Sequence, residues 1–223
     1  MFEAIYGSTW HHPVAFWVVG LPFLAFLAHR LKVARDRFAL SLLTLFQLLI
    51  LTDAWMTSSW SPFAEGSVAK TAVAVAFVIV GDLRYLVLLQ RFGLPPEKAR
   101  SPLQWLVLPL AASLLVPVAS KLVTAPWADN PRVLFLVYEL MFAALATGVL
   151  VWQLPRRPDA RTPGWVRRLT QFEIAQYLLW AAADVVILSG YDVGYLLRLV
   201  PNVMYYAVFV PFAWWSAPKE VVS

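Results

Sequence analysis

The chain of 223 residues contains no cysteine. That excludes a disulfide framework, an iron–sulfur cluster, a thiolate zinc site and a cysteine nucleophile. Histidine is almost as scarce: His11, His12 and His29 are the only 3. His12 and His29 fall at opposite ends of one apolar run, so they cannot grip a haem between helices or build the histidine boxes of membrane desaturases. His11–His12 reads as an interfacial pair rather than a metal site. Glycine is low, 9 residues or about 4%, against an ordinary ~7%. That argues against the glycine-broken helices common in transporters. Charged residues make up 14%, well below the ~25% of a soluble domain. No G-x-S-x-G, H-E-x-x-H or phosphate-binding loop occurs.

What is present is apolar. Hydrophobic residues make up 61% of the chain, and the mean hydropathy is +0.67. Both values point to a membrane protein and exclude a soluble enzyme, a nucleic-acid-binding domain and a disordered chain. A transmembrane helix needs ~20 largely apolar residues. Seven segments qualify, at roughly 13–29, 38–57, 70–91, 103–123, 132–153, 167–189 and 193–216. Charge or Pro/Gly punctuation separates them. The break at 189–194 is so short that spans six and seven should form a tight antiparallel hairpin. The first ten residues lack a basic region and carry Glu3, so they do not read as a cleaved signal peptide. Trp10 reads as an interfacial anchor. The expected fold is therefore a single all-α domain over 1–223, a seven-helix transmembrane bundle.

Basic residues set the orientation. Arg30, Lys32, Arg35 and Arg37 fall in the first loop, and Arg91, Lys98 and Arg100 in the third. Arg156, Arg157, Arg161, Arg167 and Arg168 fall in the fifth, and Lys219 in the tail, thirteen on one side. Lys70, Lys121 and Arg132 alone fall on the other. The N-terminus is expected outside and the C-terminus in the cytoplasm of the cell membrane. The net charge of +5 is then the mark of topology and of contact with membrane lipids. It calls for no nucleic acid.

Leu43-Thr44-Leu45-Phe46-Gln47 and Leu169-Thr170-Gln171-Phe172-Glu173 echo one another at the same end of spans two and six. That permits a parallel repeat of three spans, a linker and three spans. Span four suits the linker, with Pro109 and Pro117 expected to bend it.

An ionisable residue inside a span is a functional-site hypothesis by default. Seven occur: Asp53, Asp82, Arg84, Glu139, Glu173, Asp184 and Arg198. Asp184 and Arg198 sit at matching depths across the hairpin and are expected to pair. Such a pair either serves chemistry or only locks two helices. Asp53 reads as a site acid or as a carboxylate snorkelling to the outer interface. Asp82 lies too deep for a short side chain to reach water. Arg84 reads as an anchor snorkelling towards the cytoplasm. Glu139, about two turns into span five beside Tyr138, is open between structure and chemistry.

Glu173, Gln176, Tyr177, Trp180 and Asp184 share one face of span six. Tyr195, Arg198, Asn202, Tyr205 and Tyr206 line a similar face of span seven. Two such faces meeting at a hairpin suggest a pocket wall, and the bland alternative is a hydrogen-bonded helix interface. Five acids against two arginines leave excess carboxyl groups for general acid chemistry. Pro201-Asn202 is expected to unwind span seven. No lysine lies between 193 and 216, so a retinal Schiff base of the microbial-rhodopsin kind is excluded there.

Asp53 in TDAWMTSSWSP and Asp82 in VGDLRYLVLLQRFG occupy spans two and three. Over about 40 residues, 53–93, their spacing resembles that of the small seven-span membrane terpene cyclases of fungal meroterpenoid pathways and their bacterial relatives. In that family the span-two acid is a glutamate directly after a tryptophan, whereas here Asp53 precedes Trp55. The family's second catalytic carboxylate lies near the chain end, where this chain offers Asp192 and Asn202. The resemblance implies acid-initiated cyclisation of an isoprenoid-like substrate without a metal or redox cofactor. Asp53 or Asp184 would donate the proton, and Trp180 and Tyr205 would line the cation path. A proton-coupled transporter relaying protons through Asp82 and Glu173, or a non-catalytic receptor or scaffold, are the competing readings. The catalytic set is thus Asp53, Asp82, Glu139, Glu173 and Asp184. The substrate-binding set is Tyr177, Trp180, Arg198, Asn202, Tyr205 and Tyr206.

Overall fold

The computed structural model describes residues 1–6, 13–34, 37–95, 101–127, 130–157 and 162–222. Trp10, His11 and His12, and the basic residues Arg35, Lys98, Arg100 and Arg161, lie outside the described residues. Among the described residues the chain is all-helical, and seven helices are long and apolar enough to cross a membrane. A helix satisfies every backbone amide within its own segment, which hydrocarbon demands.

A short α1 (Phe2–Ile5) precedes α2 (Pro13–Val33), α3 (Arg37–Met56) and α4 (Val68–Phe92). The fourth span is a π-helical turn, Leu103–Val107, running into α5 (Leu108–Val123). The fifth is α6 (Pro131–Gly148) continued by a π-helical turn, Val149–Gln153, and a 3-10 turn, Leu154–Arg156. Then come α7 (Pro163–Leu188) and α8 (Gly194–Val203). A third π-helical turn, Met204–Val208, joins α8 to α9 (Phe209–Ser216), and α10 (Lys219–Val222) follows.

The differences from the sequence reading have physical causes. The first span runs on to Val33, so His29, Arg30 and Lys32 ride in the helix rather than in a loop. Long basic side chains at a helix end reach polar partners while their stems stay apolar, and Arg30 Nη2 donates to the Val222 carbonyl at 3.4 Å. The sixth span begins at Pro163, which sits in the first turn where its missing N–H costs nothing. Arg167 and Arg168 are therefore helical. Pro109 likewise sits in the first turn of α5, and Pro117 alone lies inside that helix. Pro201 does not unwind the seventh span. It lies within α8, and the π-helical turn directly after it keeps the chain helical. A wider turn is one way a helix absorbs a proline.

The chain falls into two compact units, residues 1–78 with 202–223, and residues 79–201. In the first, α2 packs on α3. Trp17 Nε1 donates to the Leu51 carbonyl at 3.1 Å, and Gln47 Nε2 donates to the Gly20 carbonyl at 3.3 Å. In the second, α6 packs along α7. A Cβ on Gly194 would come within 2.8 Å of the Ala183 carbonyl and of the Ile187 amide. That close approach is what lets α8 turn back tightly against α7.

α7 is built inside out. Val166, Thr170, Glu173, Tyr177 and Asp184 are buried, spaced by four, three, four and seven residues, the period of a packing seam. The positions that would hold leucine in a soluble bundle carry hydroxyl, carboxyl and phenol groups. Leu178, Leu179, Val185 and Leu188 are exposed instead, the distribution a lipid solvent selects.

Candidate functional site

In the second unit, Asp82 comes from the middle of α4 and is 1% exposed. Two phenols converge on one of its oxygens. Tyr138, from α6, donates to Oδ1 at 2.7 Å, and Tyr177, from α7, donates to the same atom. The two hydroxyls lie 3.1 Å apart. The other carboxyl oxygen, Oδ2, is buried with no hydrogen-bond partner among the described residues.

The two tyrosines belong to an aromatic cluster. Phe142 stacks on Tyr177 at 4.4 Å between centroids, and Tyr138 meets Tyr177 edge-on at 5.9 Å. Trp180 meets Tyr177 edge-on at 5.4 Å, and Tyr85 meets Phe142 edge-on at 6.3 Å. The ring contacts hold the two phenols in place on the acid.

Towards the α7–α8 turn lies a second cluster. The expected Asp184–Arg198 ion pair is present, and it belongs to a larger group. Arg198 Nη1 also lies 3.3 Å from Glu139 Oε1, and Arg132 Nη1 lies 3.2 Å from Asp184 Oδ1. One guanidinium thus ties α6, α7 and α8 together. Arg132 also sits over the Tyr195 ring at 5.2 Å. Asp184 Oδ2 and Glu139 Oε2 are buried and have no hydrogen-bond partner among the described residues. Towards the other end of α7, Glu173 is buried within electrostatic range of Arg84 and Asp82. One turn further on, Tyr85 donates to Thr170 at 3.0 Å.

Arg84 does not snorkel. It is 2% exposed, and its Nε donates to the Gly81 carbonyl at 3.2 Å. Its helix places it among carboxyl groups, which favours a buried guanidinium over one stretched towards water.

In the first unit, Asp53 does not reach an interface either. It is buried on α3, accepts from Tyr205 at 2.9 Å through Oδ2, and accepts from Thr57 at 3.3 Å through Oδ1. Asn202 Nδ2 donates to the Tyr6 hydroxyl at 3.1 Å. Tyr206 packs on Phe16, with centroids 4.6 Å apart. The expected polar face of the seventh span is thereby divided. Arg198 and Tyr195 turn to residues of the second unit. Asn202, Tyr205 and Tyr206 serve the first. For Tyr205 and Tyr206 the π-helical turn 204–208 breaks the 100° per residue phase on which a continuous stripe depends; Asn202 lies before that turn, within α8.

Tyr138, Arg132 and Thr57 were absent from the residues chosen by sequence. Tyr138 had a signal, since it adjoins Glu139 in an apolar span. Arg132 had none, because a basic residue at a span end reads as an anchor. The chain matches no family model, no curated protein and no solved structure.

Proposed function

We propose that this protein carries out proton-transfer chemistry inside the membrane, as an enzyme acting on a lipophilic, isoprenoid-like substrate by general acid catalysis. The observation that carries the reading is Asp82. Its carboxyl is fixed by two phenols on one oxygen and leaves the other oxygen without a partner among the described residues. A fixed acid with one unengaged oxygen is what delivery of a proton to an alkene or epoxide requires. The proton of the Asp82 acid form passes to the substrate, and the resulting cation closes onto an internal double bond. A carbon neighbouring the new cation then returns a proton to the carboxylate, so the reaction is an isomerisation. The terpene-cyclase resemblance at 53–93 fits this chemistry, with Asp82 rather than Asp53 or Asp184 as donor.

The thirteen basic residues support an N-terminus outside and a C-terminus in the cytoplasm of the cell membrane. The repeat is supported by a local likeness: Thr44 donates to Leu40 and Thr170 to Val166, each four residues back, at 2.7 and 2.8 Å. Proton-coupled transport is the second reading. It is favoured by the polar seam of α7, where exchangeable groups recur from Asp184 through Tyr177 and Glu173 to Thr170. That is about 21 Å of helix at 1.5 Å per residue.

The test is native mass spectrometry with lipid extraction on the full chain in mild detergent. The enzyme reading expects wild type to retain and convert an isoprenoid-like ligand that Asp82→Asn retains unchanged. Bulk phospholipid alone, identical in both proteins, overturns it. Proton-driven uptake into liposomes, lost in Asp82→Asn and Glu173→Gln, would then establish the transporter.

A further inference from the structure

The second unit carries a cavity of about 930 Å³ at the α6 end farthest from Pro131. Its lining is apolar at Leu108, Ala144 and Gly148 and polar at Gln104, Arg156 and Arg157. A cavity of about 390 Å³ adjoins it and shares Ala144, Gly148 and Trp152. Leu140, Val151 and Leu178 line this second groove. Small residues on one face of α6 hollow out both grooves, and the exposed Trp152 indole stands between them. The two π-helical turns, 103–107 and 149–153, supply Gln104 and Trp152. Widened turns displace side chains from the ordinary α-helical phase and often mark binding sites.

The polar part of this lining carries two guanidinium groups. Among the described residues no carboxylate pairs with Arg156 or Arg157. Arg157 gives one hydrogen bond, Nη1 to the Gly93 carbonyl at 3.3 Å. Partial burial pulls its guanidinium below the ordinary arginine value. Gln104 Oε1 is buried with no hydrogen-bond partner among the described residues, so an acceptor waits for a donor.

We infer that this pair of grooves binds one two-chain anionic glycerophospholipid of the phosphatidylglycerol type. One acyl chain lies on each side of Trp152, the phosphodiester sits at Arg156 and Arg157, and a headgroup hydroxyl donates to Gln104. The charge selects the anion, the paired grooves select two chains, and the vacant acceptor selects a hydroxylated headgroup. Basic pockets between spans at a membrane interface recognise anionic lipids in this manner. The site goes beyond the proton-transfer reading and stands or falls without it.

The experiment is lipid titration of the full chain by native mass spectrometry. The probes are phosphatidylglycerol and phosphatidylcholine with identical acyl chains. Wild type should hold one phosphatidylglycerol at least tenfold more tightly than phosphatidylcholine. Each of Arg156→Gln and Arg157→Gln should cut that preference about fivefold. Gly148→Leu, which fills both grooves, should weaken both lipids together. Melting in detergent without lipid separates lost binding from lost folding, because a well-folded variant melts with wild type. Equal affinity for the two lipids overturns the inference. So does a preference that survives the double Arg156→Gln, Arg157→Gln change, or displacement of the lipid by inorganic phosphate alone.

Discussion

Asp53 and Asp82 are both buried and both held by tyrosine, yet they are held differently. Asp53, in the first unit, has both oxygens engaged, one by Tyr205 and one by Thr57 a single turn away on its own helix. Asp82, in the second unit, takes both tyrosine hydroxyls on one oxygen and leaves the other without a partner among the described residues. A buried polar atom left open asks for an explanation, and a satisfied one does not. The surroundings differ as well. Asp82 shares its unit with Arg84, Arg132 and Arg198 and with three further carboxyl groups on α6 and α7. Burial alone therefore does not separate the two acids; under the proposed function it is the second oxygen of Asp82 that does.

The sharpest way to break this comparison is to remove one acid at a time. Asp82→Asn should lower turnover of the converted ligand by about 100- to 10,000-fold, the usual weight of a general acid. Asp53→Asn, whose amide still accepts from Tyr205, should leave turnover within severalfold. Equal losses in a turnover assay would erase the distinction. Stability comes next. Arg198→Ala strands Glu139, leaves Asp184 with Arg132 alone, and should cost about 3–5 kcal/mol in a reversible unfolding titration in micelles. A cost no greater than that of Asp53→Asn would mean that the second unit's charges are solvated rather than paired.

Two glycines sharpen the contrast further. A Cβ on Gly194 meets backbone atoms of α7, whereas on Gly20 it meets the Leu51 methyl at 2.5 Å and the Gln47 amide at 2.9 Å. Side-chain tips yield and backbone does not. Gly194→Ala should therefore cost about 1–3 kcal/mol and Gly20→Ala measurably less, read by melting temperature in the same detergent. The smallest effects belong to the phenols. Tyr138→Phe should cost about 0.5–1 kcal/mol, because Tyr177 still donates to the same oxygen. Tyr205→Phe, which deprives Asp53 Oδ2 of its donor, should cost more than Tyr138→Phe.

The spans were legible because hydrocarbon enforces a minimum length and forbids unpaired backbone, so length and hydropathy carry the answer. Asp184–Arg198 was legible because a six-residue break leaves two helices few ways to meet. Tyr138 on Asp82 was not, since α4 and α6 are separated in the chain by α5 and no local pattern encodes their meeting. Arg84 was misread because the rule that arginines snorkel holds only where the helix faces lipid or an interface. The fate of Tyr205 was hidden by the π-helical turn. Residues 204–208 carry no glycine and look like any apolar helix, yet they redirect a phenol from the expected stripe to Asp53.

The inside-out seam of α7 also bears on how the chain enters a membrane. A helix carrying Glu173, Gln176 and Asp184 is a poor substrate for lateral release into lipid, since each central charge costs ~2.5–3.5 kcal/mol on translocon scales. α8 brings Arg198 within one short turn of Asp184, so the two helices together present that carboxylate already paired. Insertion of the sixth and seventh spans is then a paired event. The last quarter of the molecule is then integrated only when the ribosome has delivered Arg198, the α8 partner of Asp184.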